Sequence, residues 1–218
     1  SRQIYEGLVT PGINMEVLPQ LAESWTTTAD DTWIFNIRRG VTFHDGSSLT
    51  AGDVAFSVNR AKTAPSDMVD LIKSVKSARA IDDHTVEIKT DGPNPILLNQ
   101  LTQIFVMSEA WSKANGCEAS YNWDAGETSY CASNANGTGP FEITFREQDV
   151  RTVFEKNDNW WGNHYTHNID KIELLPIKND ATRVAALLSG EIDYTNVVPV
   201  QDIKRINSSM GHAVKMTP

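Results

Sequence analysis

The apolar positions of this chain alternate in some places and recur at helical spacing in others, and the switches mark its elements. Trp33, Phe35 and Ile37 alternate with Ile34, Asn36 and Arg38, the period-two pattern of a strand with one face inward, and Gly40 breaks it. Val41 and Phe43 continue the alternation up to an Asp45-Gly46 turn. Thr50-Ala51-Gly52-Asp53 has the spacing of a capping box, with the acid facing the positive end of the helix dipole. A helix follows through Val54, Val58 and Ala61, with Arg60 and Lys62 near its end and Pro65 as its stop. Leu71, Ile72 and Val75 predict a second helix from Met68 to Ser77, and Asp82-Asp83 then turns the chain into an alternating strand, Val86 to Lys89.

Beyond Pro93 and Pro95, Ile96, Leu97 and Leu101 predict a short helix, and Ile104 to Met107 a buried strand. From Trp111 to Pro140 the chain is rich in Gly, Asn, Ser and Thr and has no periodicity. Strands resume at Phe141, Ile143 and Phe145, near Arg151 to Glu155, and at Ile172 to Ile177. Asp180 to Leu188 reads as a helix ended by Gly190, and Ile192 to Val197 as a return to strand. The fold class is mixed α/β.

Composition narrows the class but not the activity. With 218 residues, 40% of them hydrophobic and 22% charged, the chain can bury a core without metal or disulfide staples. A net charge of −9 argues against a broad nucleic-acid or anionic-lipid footprint. No apolar run approaches the roughly 18 residues that span a bilayer, since Ile96 to Met107 is broken by Asn99, Gln100, Thr102 and Gln103. No targeting peptide is visible at the start, which leaves export open.

Cys117 and Cys131 share one loop, the arrangement of a local disulfide, and they point to an oxidising compartment. Two free thiols are the alternative; a metal site would need further ligands, and no histidine lies near in sequence. His44-Asp45, Asp83-His84, and His164 with His167 are the candidate acid–base or metal pairs. The last two lie in a polar loop, where solvated histidines are the plainer reading. Neither Gly-x-Ser-x-Gly nor His-Glu-x-x-His occurs, and Gly137-Thr138-Gly139 lacks the third glycine of a dinucleotide fingerprint. These glycines are read as permitting backbone angles that other residues disfavour, and Trp160-Trp161 as covering a core edge. No catalytic residue, metal site or cofactor is assigned.

Several segments occur in an order that resembles the extracellular solute-binding proteins of ABC transporters, in the family (family 5) that binds peptides, nickel complexes and related solutes. They are Tyr5 to Val9, Leu18 to Trp25, Trp33 to Gly46, Leu49 to Ser57, Gly137 to Phe141, Asn157 to Trp161 and Gly190 to Asp193. The resemblance implies part of a two-lobed fold of the type II periplasmic-binding-protein kind, with the second lobe missing and the chain an N-terminal fragment. It implies that residues 1–9 and 137–218 form part of the N-terminal lobe and residues 10–136 a family-specific accessory domain. It implies an exported, periplasmic or cell-surface-attached protein whose partners are a small solute, foremost a peptide, and an ABC permease in the membrane.

Nickel complexes, opine-like conjugates and saccharides are further ligand classes within the family. A solute sensor or interaction module without transport is the alternative function. On the resemblance, the ligand-facing residues are Ser66, Asp67 and Met68, where relatives place an aromatic residue and Met68 is the nearest equivalent here, together with Gln103 and Phe105 beside the apolar run. The fragment alone is expected to bind weakly or not at all.

Overall fold

A computed structural model of the chain describes residues 2–122, 124–162, 168–209, 211 and 213–215. The chain divides into two compact units, Ser1–Gln148 with Thr152–Glu173, and Asp149–Arg151 with Leu174–Pro218.

The first unit is built on a four-stranded antiparallel sheet in the order β3 (Ala22–Ala29), β4 (Thr32–Ile37), β6 (Thr85–Thr90), β5 (Val75–Asp82). The alternation read at Trp33 to Ile37 is β4, a central strand with Phe35 and Ile37 buried. No apolar period marks β3 in the sequence: Glu23-Ser24 and Thr26-Thr27-Thr28 are polar, because β3 is an edge strand and most of it faces water. α1 (Ala51–Ala61) packs on β5 and β6 and sends Val54 and Val58 into the core. Its capping box is present, with Asp53 Oδ2 accepting from the Thr50 backbone N–H at 2.9 Å, while Asp53 Oδ1 accepts from the Glu109 N–H at 2.8 Å and so ties α1 to α3 (Glu109–Ala114).

A short hairpin, β1 (Val9–Pro11) with β2 (Val17–Pro19), precedes the sheet. Leu97 and Leu101 of α2 (Leu97–Leu101) are buried in the same core.

Three expectations are corrected. Residues 67–74 form a run of turns rather than a helix, and Val75 opens β5; pairing of Val75–Asp82 along β6 satisfies more backbone groups than a marginal helix of that length would. Ile104–Met107 is not a strand in a ladder. Ile104 and Val106 are buried, but the run forms only an isolated bridge, Gly7 to Phe105; its Val106 N–H donates to Glu6 O at 2.9 Å, and its Met107 N–H donates not to a strand but to Ser57 Oγ of α1 at 2.8 Å. Residues 192–197 form no strand, because the chain folds back on α4, with the Glu191 N–H on Ala186 O at 2.9 Å.

A three-stranded sheet follows, in the order β7 (Phe141–Glu147), β8 (Arg151–Lys156), β9 (Lys171–Leu174). In the second unit, α4 (Asp180–Ser189) is capped by the Asn179 side chain and ends at Gly190 with φ 78°. Its Val184 and Leu187 pack with Ile206 of α5 (Ile203–Asn207), flanked by Ile192, Val198 and Val214.

Candidate functional site

The residues expected to face ligand fall into two groups. Ser66, Asp67 and Met68 follow the end of α1; the Ser66 N–H bonds Thr63 O at 3.1 Å, and Ser66 Oγ accepts from the Met68 N–H at 3.2 Å. Asp67 is exposed, and Met68 is half-buried against the core. Gln103 is exposed and reaches Thr102 Oγ1 at 3.2 Å. Phe105 lies under the Arg2 guanidinium, 5.7 Å from its ring centre. The structure thus joins Phe105 to Gly7 through an isolated bridge, and places Ser66–Met68 on a separate turn.

What the structure gathers is a set of polar groups that spacing alone did not connect. Glu6 is 1% exposed, and four side chains donate to its carboxylate. Trp161 Nε1 (2.7 Å) and Thr138 Oγ1 (2.9 Å) donate to Oε2, and Gln20 Nε2 and Trp160 Nε1 (both 3.4 Å) to Oε1. The Gly7 N–H in turn holds Gln20 Oε1 at 3.1 Å. Burial pushes the Glu6 carboxyl above its ordinary value, and the four donors pull it back. Arg38 lies over the Trp161 ring at 4.4 Å, placing a cation one ring away from the buried acid. Four of the ordered motifs, those of Tyr5-Glu6-Gly7, Leu18-Pro19-Gln20, Gly137-Thr138-Gly139 and Asn159-Trp160-Trp161, therefore meet at one carboxylate. Trp161 also packs against the core.

His44 closes the neighbouring part of this junction. Its Nε2 lies 3.1 Å from Gly139 O, the Gly137 N–H points at its Nδ1 at 3.3 Å, and its own N–H donates to Gly137 O at 2.9 Å. Burial lowers the imidazole below its ordinary value. Asp45 turns away to Asn136, whose Nδ2 donates to Asp45 Oδ2 at 2.8 Å. The His44-Asp45 pair is thus occupied by backbone and turn contacts.

The sequence reading of the glycines is corrected. Neither Gly137 nor Gly139 has a positive φ; a Cβ at Gly137 would lie 2.0 Å from Ile4 O and one at Gly139 2.5 Å from Gln3 O, so the need is close backbone approach. In the Asp83-His84 pair the backbone carbonyls accept from Ala51 and Ile37. His164 and His167 lie outside the described residues. Among the described residues no group of three or more His, Cys, Asp or Glu is placed to hold a metal ion.

Cys117 and Cys131 are bonded, with S–S 2.06 Å and Cα atoms 6.3 Å apart. Cys117 is fully buried, and its carbonyl accepts from Arg60 Nε at 3.1 Å. Two concavities flank this loop. One of about 600 Å³ lies against α1 and residues 118–120; the other, of about 350 Å³, lies between Trp111, Tyr130 and β7. None of Ser66, Asp67, Met68, Gln103 or Phe105 lines either. Among the described residues no helix is long and apolar enough to cross a membrane.

Comparison with known proteins supplies what this geometry leaves open. The chain is 26% identical over 238 residues to the periplasmic oligopeptide-binding protein OppA of Salmonella typhimurium, covering 100% of this chain and 42% of that protein. The structure of DppA from Helicobacter pylori in complex with the peptide STSA superposes with a TM-score of 0.77 at 25% identity, over 94% of this chain and 43% of that one. NikZ from Campylobacter jejuni, in complex with Ni(L-His), gives a TM-score of 0.84 at 22% identity, over 96% of this chain and 40% of that one, a likeness of fold. The chain thus spans about two-fifths of the length of these relatives. A family model described as bacterial extracellular solute-binding proteins, family 5 Middle, matches residues 16–217, and the chain belongs to that family.

Proposed function

We propose that this chain supplies one jaw of the substrate-binding component of an ABC importer, which captures a peptide or similar small solute in a cleft between lobes and delivers it to a membrane permease. Residues 1–9 and 137–218 are then part of the N-terminal lobe and residues 10–136 the accessory domain. The protein works outside the cytoplasmic membrane, without catalysis and without a cofactor. The family match over residues 16–217 carries this reading, and relatives named as oligopeptide-, dipeptide- and glutathione-binding proteins favour a peptide as solute.

Closure over a solute is driven only by the difference in its affinity for the open and closed states. Phe105 and Met68 offer apolar and polarizable surface that tolerates varied side chains, while peptide main-chain groups are held by hydrogen bonds, many through water. Calorimetric titration of the full-length protein with di- to pentapeptides, saccharides and nickel–histidine complexes tests the ligand class; saturable binding of peptides alone is the expected result. Binding of the nickel complex alone would favour the second reading, for which NikZ is the structural precedent. Solute uptake that persists when the permease is deleted would point instead to a sensor.

A further inference from the structure

The concavity of about 600 Å³ beside α1 is lined by both apolar and charged side chains. Its volume falls in the range of small-molecule sites, about 300–1,000 Å³. Phe56, Ala80 and Ala119 give it apolar walls, and Arg60 lines it as a cation. The Arg60 Nε and Nη2 atoms donate to the carbonyls of Cys117 and Ala119 at 3.1 and 3.2 Å. No carboxylate lies within ion-pair distance of this guanidinium among the described residues, although burial disfavours its charge. A half-buried guanidinium without a counter-ion is costly, and with its Nε side held by these two carbonyls its outer Nη1–Nη2 edge is the one that matches a carboxylate.

We propose that this cavity binds a small monocarboxylate with an apolar body, anchored on Arg60. Two acids also line the cavity. Glu109 is engaged by Lys113 at 2.8 Å, and Arg60 is the one cation among the lining residues, so a second negative charge on the ligand finds no partner and meets the Glu118 carboxylate, which disfavours dicarboxylates and phosphates. The wall at Glu118 to Ser120 is held by Arg60 and by the Cys117–Cys131 bond next to it. The site is separate from the residues assigned to the solute cleft, and it stands whether or not the cleft binds peptide.

The test is an amide-resolved NMR titration of the full-length protein with phenylacetate, with phenethylamine as a probe of the same body and opposite charge. Saturable shifts at Phe56, Ala80 and Ala119 are expected with phenylacetate and not with phenethylamine. Arg60→Gln should weaken the phenylacetate response by about tenfold or more, and Ala119→Trp, which fills the cavity without touching Arg60's charge, should abolish it while leaving peptide titration unchanged. Absence of saturable shifts at roughly 50 mM phenylacetate, a range that detects even millimolar affinity, would overturn the proposal. So would an equal response to phenethylamine, or a response that survives Ala119→Trp.

Discussion

Trp161 Nε1 donates to Glu6 Oε2 at 2.7 Å across 155 positions of sequence, and this bond joins the first motif of the chain to one of its later ones. With Thr138, Gln20 and Trp160 as further donors, the carboxylate has an acceptor role in every bond it makes here. Glu6→Gln keeps the shape but turns an amide N–H₂ toward groups that are themselves donors. The expected loss is about 1–3 kcal/mol in denaturant unfolding, the cost of leaving buried donors unmatched. A stability equal to that of the parent would show that these bonds contribute nothing net.

The two perturbed groups of the junction give opposite pH signs. Glu6 has a raised value in the folded state, so its protonated form contributes stability that is full below its ordinary value of 4.5 and is lost as pH rises through the raised one. His44 has a lowered value, so its neutral form contributes stability that is present above 6.5 and lost as pH falls through the lowered one. Unfolding midpoints measured from pH 4 to 8, roughly the span in which carboxylates and imidazoles titrate, should therefore show these slopes flatten selectively in Glu6→Gln and in His44→Gln.

Gly137→Ala should be among the more damaging single substitutions in the first unit. Its Cβ would sit 2.0 Å from the Ile4 carbonyl oxygen, and that neighbour is backbone that cannot swing aside. A loss of about 3 kcal/mol is expected, read by thermal or denaturant unfolding. Gly52→Ala, where a Cβ meets the Thr50 side-chain Oγ1 at 3.3 Å rather than backbone at 2.0 Å, is the comparison and should cost much less.

Removing the Cys117–Cys131 bond by a double serine substitution should cost about 3 kcal/mol, as expected for a loop of roughly this length. The region it closes has little regular structure beyond the turn Tyr130–Ala132. Hydrogen exchange should rise in residues 118–122 and 124–130 while β4 and β6 keep their protection.

If Phe105 faces solute, Phe105→Ala in the full-length protein should weaken peptide binding by about tenfold, equivalent to about 1.4 kcal/mol. Met68→Leu, which keeps volume, should change affinity little. Unchanged affinity in Phe105→Ala, in a protein that still folds, would remove that residue from the ligand wall.

Much of the local structure could be read from the chain alone, because its causes are local. Period-two alternation marked β4, β6 and β7, the Thr50–Asp53 spacing marked the start of α1, and Gly190 marked the end of α4. The order of motifs indicated the family. The candidate ligand residues, however, came from resemblance, and sequence spacing had no means of showing that Phe105 pairs with Gly7 or that Ser66–Met68 sit on turns.

Tertiary structure decided what depends on partners far along the chain. Residues 67–74 are turns because β6 claims the backbone that follows them, and β3 is a strand because β4 supplies a partner to a segment with no apolar period. Glu6 reads in sequence as one acid within the Tyr5 to Val9 segment. Only folding brings Gln20, Thr138, Trp160 and Trp161 to it, since burial and hydrogen-bond geometry are properties of assembled neighbours rather than of residue order.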